Sequence, residues 1–66
     1  MVTVNGQSID FRSGMMVADA LQAAGESIGM MKLVIVNGVL VRFDQLRREP
    51  LTDGAQIVVM LLVAGG

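Results

Sequence analysis

The sequence contains no cysteine and no histidine, and its aromatic residues are two phenylalanines. The absence of cysteine and histidine excludes disulfides, thiolate chemistry and nearly every zinc site. It also excludes the Ser-His-Asp and Cys-His arrangements of nucleophilic enzymes. Phe11 and Phe43 are too few to form an aromatic surface on which nucleic-acid bases stack. We therefore predict no catalytic residue and no metal ligand, and we do not expect an enzyme.

Charge of either sign is also scarce. Five Lys and Arg stand against six Asp and Glu, which gives a net charge of −1 and a pI near 4.9. Proteins that bind nucleic acid usually gather a basic excess on one face, and none is visible here. The six carboxylates, at positions 10, 19, 26, 44, 49 and 53, follow no catalytic spacing and are interpreted as solvated surface charge.

Long apolar segments are missing as well. The longest apolar run covers residues 57–64, well short of the roughly 18 residues that suggest a membrane span. The amino terminus has neither the basic segment nor the apolar core of a signal peptide. We expect a cytoplasmic protein with no membrane and no nucleic-acid partner.

What the sequence does have is aliphatic content, since 53% of its 66 residues are hydrophobic. A chain of this length forms one domain, residues 1–66, and buries only about 60% of the surface that its unfolded form exposes. We expect a single small domain with a tight aliphatic core.

The first part of the chain has the pattern of a β-hairpin. Apolar and polar residues alternate on both sides of Asn5-Gly6, a dipeptide that favours a type I′ turn. Residues 2–11 are therefore predicted to form two antiparallel strands. The side chains expected to point inward are Val2, Val4, Ile9 and Phe11.

The apolar period then changes to that of a helix. Apolar residues recur at helical spacing from Val17 to Ala24, which predicts one amphipathic helix over residues 16–24. Ser13 is the expected helix cap, and Asp19 suits the positive end of the helix dipole. Gly25 is expected directly after the helix, where a residue of positive φ is common.

The second half contains three further strand segments. Residues 33–36 are all apolar, which predicts a strand buried on both faces, and residues 39–41 follow the Asn37-Gly38 turn as a short strand. Residues 43–48 are predicted to form one helical turn that carries Phe43 and Leu46 inward. After Pro50 and the Asp53-Gly54 turn, residues 56–62 form the last strand.

The element order ββαβ(β)β defines the expected fold. Because a strand–helix–strand crossover is right-handed, the one main helix should lie across one face of a mixed sheet. We predict an α+β domain of the β-grasp, or ubiquitin-like, class.

The chain ends on Val63, Ala64, Gly65 and Gly66, directly after the apolar strand. One interpretation is a frayed, glycine-rich terminus. The other is functional: glycines without Cβ atoms can stay extended in a narrow channel and present the Gly66 carboxylate on a thin arm. A carboxylate reacts with sulfur or amines only after it receives a leaving group such as AMP, so another protein would have to supply ATP and magnesium.

Several of these features together resemble a known family. They are the β-grasp order, the Val36-Asn37-Gly38 turn, the Asp53-Gly54 turn and the terminal Val63-Ala64-Gly65-Gly66. In this combination the chain resembles the ThiS/MoaD sulfur carriers over essentially its whole length. The resemblance is closest to the ThiS members, which serve thiamine biosynthesis.

The resemblance implies a function for the tail. A ThiF-like adenylyltransferase would adenylate Gly66 with MgATP, and a persulfide derived from a cysteine desulfurase would convert it to a thiocarboxylate. That group would deliver sulfur to a ThiG-like thiazole synthase. Gly66 is then the modified residue, Gly65 and Ala64 form the spacer, and the chain itself binds no cofactor.

A docking surface follows from the expected layers. A single short helix covers one face of the sheet, so some aliphatic side chains of the last strand should stay exposed, and exposed apolar patches often mark partner sites. We expect partners to dock on that face together with Leu61, Leu62 and Val63.

Other functions remain open at this point. The same chemistry would suit a MoaD-like small subunit of molybdopterin synthase or a sulfur carrier of another pathway. A different class is a ubiquitin-like modifier joined to lysines through Gly66, or a β-grasp interaction domain with no covalent role.

Overall fold

A computed structural model describes residues 1–29 and 31–62 of the chain. Five strands and one α-helix follow in the order β1, β2, α1, β3, β4 and β5. Their bounds are β1 Val2–Val4, β2 Gln7–Ile9, α1 Val17–Ala23, β3 Lys32–Val36, β4 Val39–Val41 and β5 Gln56–Leu61. The predicted α+β architecture, with one main helix on a mixed sheet, is confirmed.

The sheet has the order β2-β1-β5-β3-β4, so the last strand occupies its centre. On one side β5 runs parallel to β1, with Val4 opposite Ile57. On the other side β5 runs antiparallel to β3, from Val36 opposite Ile57 to Lys32 opposite Leu61. The two hairpins, β1–β2 and β3–β4, therefore lie on opposite sides of β5.

Both hairpins turn on the predicted Asn-Gly dipeptides. Asn5 and Asn37 adopt φ values of 50° and 51°, and the glycine after each also has positive φ, as a type I′ turn requires. The side chain of each asparagine also accepts a hydrogen bond from β5, which the sequence around it does not predict. The Oδ1 atom of Asn37 accepts the N–H of Gln56 at 2.9 Å, and that of Asn5 accepts the N–H of Val59 at 2.8 Å. Both side chains thus extend the pairing of β5 beyond the ends of its neighbours.

The helix is shorter than predicted and begins differently. The expected cap, Ser13, is wrong: the N-cap is Met16, whose N–H donates to Asp19 Oδ2 at 2.9 Å. Met16 is still extended because it forms a bridge with Pro50, so the helical φ and ψ angles begin only at Val17. The predicted end is confirmed, since Gly25 has a φ of 80° and follows directly after the last helical turn.

The core lies between α1 and one face of the sheet. Its largest fully buried side chains are Leu21, Ile57, Val2, Val4 and Val17. Of the inward residues predicted for the hairpin, Val2, Val4 and Ile9 are buried and Phe11 packs against the core at partial exposure. Within residues 1–29 and 31–62, no buried side-chain nitrogen or oxygen lacks a hydrogen-bond partner.

Phe43 departs from the sequence prediction. The helical turn near it is a 3-10 turn, Phe43–Gln45, and Phe43 is 47% exposed while Leu46 is 2% exposed. Leu46, which directly follows the turn, enters the core, whereas Phe43 at the start of the turn stays at the surface. The inward placement of Leu46 is confirmed and that of Phe43 is wrong.

The Asn5 side chain should matter for stability because it replaces a missing strand partner of Val59. Asn5→Gly keeps the tolerance for positive φ and loses the Oδ1 acceptor, so we expect a loss of about 1 kcal/mol in the free energy of unfolding. Asn5→Asp keeps an acceptor at the same place and should unfold close to wild type. Urea denaturation followed by circular dichroism measures both, and equal stability of the glycine variant and wild type would contradict the role assigned to Oδ1.

Candidate functional site

The predicted reactive end of the chain lies beyond the described structure. Val63, Ala64, Gly65 and Gly66 are outside the described residues, so the modified group and its spacer stay predictions. The structure does describe the segment from which these residues follow. The site is therefore built here from the last residues of β5 and from the sheet surface around them.

The end of β5 is fixed by the start of β3. Leu61 lies opposite Lys32, and the N–H of Leu62 donates to the carbonyl of Met31. This pairing holds the main chain of the last described residues against the sheet. The side chains of Leu61 and Leu62 are nevertheless 64% and 46% exposed. Two of the three predicted docking residues are thus presented to solvent, and the third, Val63, lies outside the described residues.

A polar cluster stands beside this segment. The Lys32 Nζ lies 3.3 Å from Glu26 Oε1 and 3.2 Å from Ser27 Oγ. All three residues belong to β3 or to the loop before it, so these contacts tie that loop to the strand on which Leu61 pairs. Because the ion pair is only partly buried, we assign it a positioning role rather than a large contribution to stability.

One face of the sheet carries no helix among the described elements. Strand residues point alternately to the two faces, so residues 33 and 35 of β3 and residues 58 and 60 of β5 point away from α1. The residue of β4 opposite Ile35 joins them. We call this set the open face: Leu33, Ile35, Leu40, Val58 and Met60. Three of its members, Leu40, Val58 and Met60, are 56%, 44% and 46% exposed.

The open face corrects the prediction for residues 33–36. The segment 33–36 was expected to be buried on both faces, but only Val34 is buried, at 3% exposure, whereas Leu33 and Ile35 are half-buried. The reason is that α1 has seven residues and covers a single face of the sheet. An unbroken apolar run here indicates a core on one side and an exposed apolar surface on the other.

The polar residues of the same face lie at its margin. Thr3 of β1, Ser8 of β2 and Gln56 of β5 occupy neighbouring positions of the ladder and share the open face. The apolar part of the face is therefore displaced toward β3 and β4. On β5 it begins after Gln56 and continues toward Leu62, which is the last described residue.

An ion pair that shifts the pKa of Asp53 lies away from this surface. The Met1 ammonium hydrogen-bonds to Asp53 Oδ1 and holds the pKa of that carboxyl below its ordinary value. Asp53 precedes β5, at the end opposite Leu62. The charge therefore fastens the start of the chain to the turn before β5 and takes no part in the open face.

The described residues offer little to a metal or a membrane. Across residues 1–29 and 31–62, no three Asp or Glu side chains come together as metal ligands would. In the same part of the chain, no helix has the length and apolar character needed to cross a membrane. A groove beneath β4, lined by Val41, Leu51 and Ala55 among others, lies near the start of β5 and not near Leu62. The open face and the exposed end of β5 are therefore the surface suited to a protein partner.

Comparisons with known proteins agree with this architecture. The family model described as the ThiS family matches residues 2–66. No curated protein sequence matches the chain. A crystal structure of the thiamine biosynthesis protein ThiS from Geobacter metallireducens is similar at 22% identity with a TM-score of 0.76, covering 98% of this chain and 97% of that one.

A solution structure from the same organism gives a second likeness. This thiamine biosynthesis protein from Geobacter metallireducens superposes with a TM-score of 0.69 at 22% identity, covering 98% of this chain and 86% of that one. At this identity the two structures establish the β-grasp fold, and the family model establishes the kinship.

Two valine substitutions should separate the open face from the core. Val34→Thr buries a hydroxyl beside α1 and should cost about 1–3 kcal/mol in the free energy of unfolding. Val58→Thr makes the same change on the open face and should stay within about 0.5 kcal/mol of wild type. Urea denaturation of both variants measures the difference, and equal losses would mean that the open face is covered in the folded chain.

Proposed function

Because the chain belongs to the ThiS family, we propose that it is a sulfur carrier of thiamine biosynthesis. The observation that supports this most directly is the placement of β5. The central strand of the sheet runs into an exposed apolar end, and the residues that follow it in sequence are Val63, Ala64, Gly65 and Gly66. The domain then serves as a rigid handle, and the terminal carboxylate carries the sulfur.

The proposed chemistry begins with activation of that carboxylate. A Gly66 carboxylate oxygen attacks the α-phosphorus of ATP, pyrophosphate leaves, and an acyl adenylate forms. The terminal sulfur of a persulfide then attacks the acyl carbon and AMP leaves, which gives an acyl disulfide. A thiol of the donor protein attacks the donor's own sulfur, so that Gly66 is released as a thiocarboxylate and the donor ends as a disulfide.

The tail composition suits this sequence of steps. The α-phosphorus must reach a Gly66 carboxylate oxygen and the persulfide sulfur must reach the carboxyl carbon, and glycine presents no Cβ to obstruct either approach. Gly65 and Ala64 act as a slim spacer between that carbon and the folded domain. Neither cysteine nor histidine occurs in the chain, so the sulfur is held on the carboxyl carbon rather than on a side chain.

The remaining reagents come from partners. A ThiF-like adenylyltransferase supplies the ATP and magnesium site, a cysteine desulfurase supplies the persulfide, and a ThiG-like thiazole synthase receives the sulfur. The chain is the protein substrate of the first and the sulfur donor of the last. ATP and reducing thiols are cytoplasmic reagents, and we assign the chain to that compartment.

The open face is the proposed docking surface for these partners. It is apolar and is continued toward the end of β5 by the exposed Leu62, whereas the exposed side chain of Leu61 points to the other face. Burial of such a patch supplies binding free energy in proportion to the apolar area removed from water. A partner seated there receives the tail from a fixed direction, because pairing with β3 holds the end of β5 in place.

Thiocarboxylate formation can be tested by intact mass. Incubation with the activating enzyme of the same organism, MgATP and a persulfide donor should raise the mass of the chain by one oxygen-to-sulfur exchange at Gly66. Deletion of Gly66 should abolish the exchange and leave the thermal unfolding midpoint unchanged, since this residue follows the last strand. An unaltered mass with an enzyme that adenylates another carrier would refute the proposed function.

Docking can be tested with two exposed valines. Val58→Thr places a hydroxyl on the open face and should weaken binding to the activating enzyme about tenfold, because the hydroxyl loses water on docking. Val39→Thr is the matched control, since Val39 is 66% exposed and lies opposite Val36, on the other face. Isothermal titration with each variant distinguishes them, and a similar loss for both would exclude the open face as the specific seat.

A further inference from the structure

Strand β5 is paired unequally along its two sides. On the β3 side its pairing is continuous from Ile57 to Leu61 and goes on to Leu62. On the β1 side the ladder contains only Gln56 and Ile57, because β1 has three residues. After Val4 the chain turns back at Asn5-Gly6 to form β2, so on this side no strand of the described residues continues beside the second half of β5.

The direction of the main-chain groups follows from the antiparallel ladder. Opposed residues alternate between pairs that exchange hydrogen bonds and pairs that do not. Leu62 donates to Met31, so Met60 and Val58 bond to β3 as well. Val59 and Leu61 therefore turn their N–H and C=O groups toward the β1 side.

On that side the chain supplies a single substitute partner. The N–H of Val59 is taken by Asn5 Oδ1 at 2.8 Å. Among residues 1–29 and 31–62, the carbonyl of Val59 and both main-chain groups of Leu61 have no partner. We call these three groups the vacant edge. Leu61 is 64% exposed, so its two groups meet water in the free chain, and Val59 beside it is half-buried.

Docking of a partner changes the solvent exposure of these three main-chain groups. A partner that covers the side chains of Leu61 and Leu62 also removes water from the main chain beside them. Nearly all buried main-chain N–H and C=O groups in proteins are hydrogen-bonded, because leaving one unpaired is unfavourable. The partner must therefore offer both a donor and an acceptor at this edge, at the spacing of a strand.

We propose that an extended segment of the activating enzyme pairs with the vacant edge and continues the sheet where β1 stops. The inference rests on the proposed function, and it specifies how the partner binds. Extended peptides commonly bind by adding a strand to a sheet edge, with main-chain hydrogen bonds supplying affinity. Leu61 also stands shortly before the tail in sequence, and the tail is the part of the chain that the enzyme has to hold.

The outer edge of the sheet at β4 is a less suitable seat. Ile35 of β3 bonds to β5, so its pair with Leu40 of β4 is not hydrogen-bonded. The bonded pairs between β3 and β4 are the two that flank it, Val36–Val39 and Val34–Val41. Leu40 therefore turns its main-chain groups outward. That edge offers one residue and lies opposite residues 34–36. The vacant edge lies beside Leu61, immediately before the tail, and it is the edge we assign to the partner.

The two edges can be compared by single-atom changes to the main chain. At 66 residues the full chain is accessible to chemical synthesis, so the N–H of one leucine can be replaced by an ester oxygen. The test variant carries the ester at Leu61. The ester at Leu40 is the matched control, because both leucines are exposed and each ester also weakens one ladder carbonyl, that of Met60 or of Val39.

Stability measurements without any partner test the geometry first. The esters at Leu61 and Leu40 should lower the thermal unfolding midpoint by the same small amount, because neither N–H is bonded within the domain. An ester at Met60 removes a hydrogen bond to β3 and should lower the midpoint further. If the Leu61 ester is as destabilising as the Met60 ester, its N–H is already bonded and the vacant edge does not exist.

Binding to the activating enzyme then tests the proposal itself. We expect the Leu61 ester to weaken the affinity about tenfold relative to wild type and the Leu40 ester to leave it unchanged. Equal affinity of wild type and the Leu61 ester overturns strand addition here, and selective loss with the Leu40 ester transfers it to β4. Conversion of wild type to the thiocarboxylate is followed in parallel, so failure of the edge proposal is distinguished from failure of the sulfur-carrier function.

Discussion

The parallel pairing of β1 with β5 is the constraint on which the rest of the structure depends. It brings Val4 against Ile57, residues from the two ends of the domain, and places β5 between the two hairpins. Pairing across such a sequence separation carries a loop-closure cost, and it is stable only because buried side chains offset that cost. Val4 and Ile57, both almost fully buried under α1, supply that burial at the point of pairing.

The shortness of β1 gives the constraint its functional consequence. Three residues are enough to fix the register of β5, and the Asn5 side chain adds one further hydrogen bond. A longer β1 would pair with Val59 and Leu61 and would cover the part of β5 that precedes the tail. The fold thus anchors β5 at its start on both sides and at its end on one side only.

Much of this architecture could be predicted from the sequence, because its signals are local. The Asn-Gly turns, the helical spacing from Val17 and the stop at Gly25 depend on residues a few positions apart. The wrong predictions concern contacts between residues that are distant in sequence. Serine is a common helix N-cap, which is why Ser13 was predicted. The bridge between Met16 and Pro50, two segments distant in sequence, keeps Met16 extended, so the helix begins after it.

The same reason explains the open face and the docking residues. An apolar run such as 33–36 has the same sequence pattern whether its second face packs against a helix or binds a partner protein. The sequence therefore predicted the strand but not the exposure of the side chains on its second face. The vacant edge was missed because it depends on where the neighbouring strand stops and on which ladder pairs are bonded. The placement of Leu61 and Leu62 near the tail could be predicted, since it follows from chain order alone.

The alternation along β5 separates the demands of folding from those of binding. Ile57, Val59 and Leu61 point their side chains toward the α1 face and their main-chain groups toward β1. The even-numbered residues of β5 between them point their side chains to the open face and their main-chain groups toward β3. Near the start of the strand the odd positions build the core. At Leu61 the strand has passed the ends of α1 and β1, so the side chain and the main chain of Leu61 both face solvent. A partner there can cover the side chains of the even-numbered residues on the open face and pair with the main-chain groups of the odd-numbered residues at the edge. Neither interaction competes with a contact that holds the domain together.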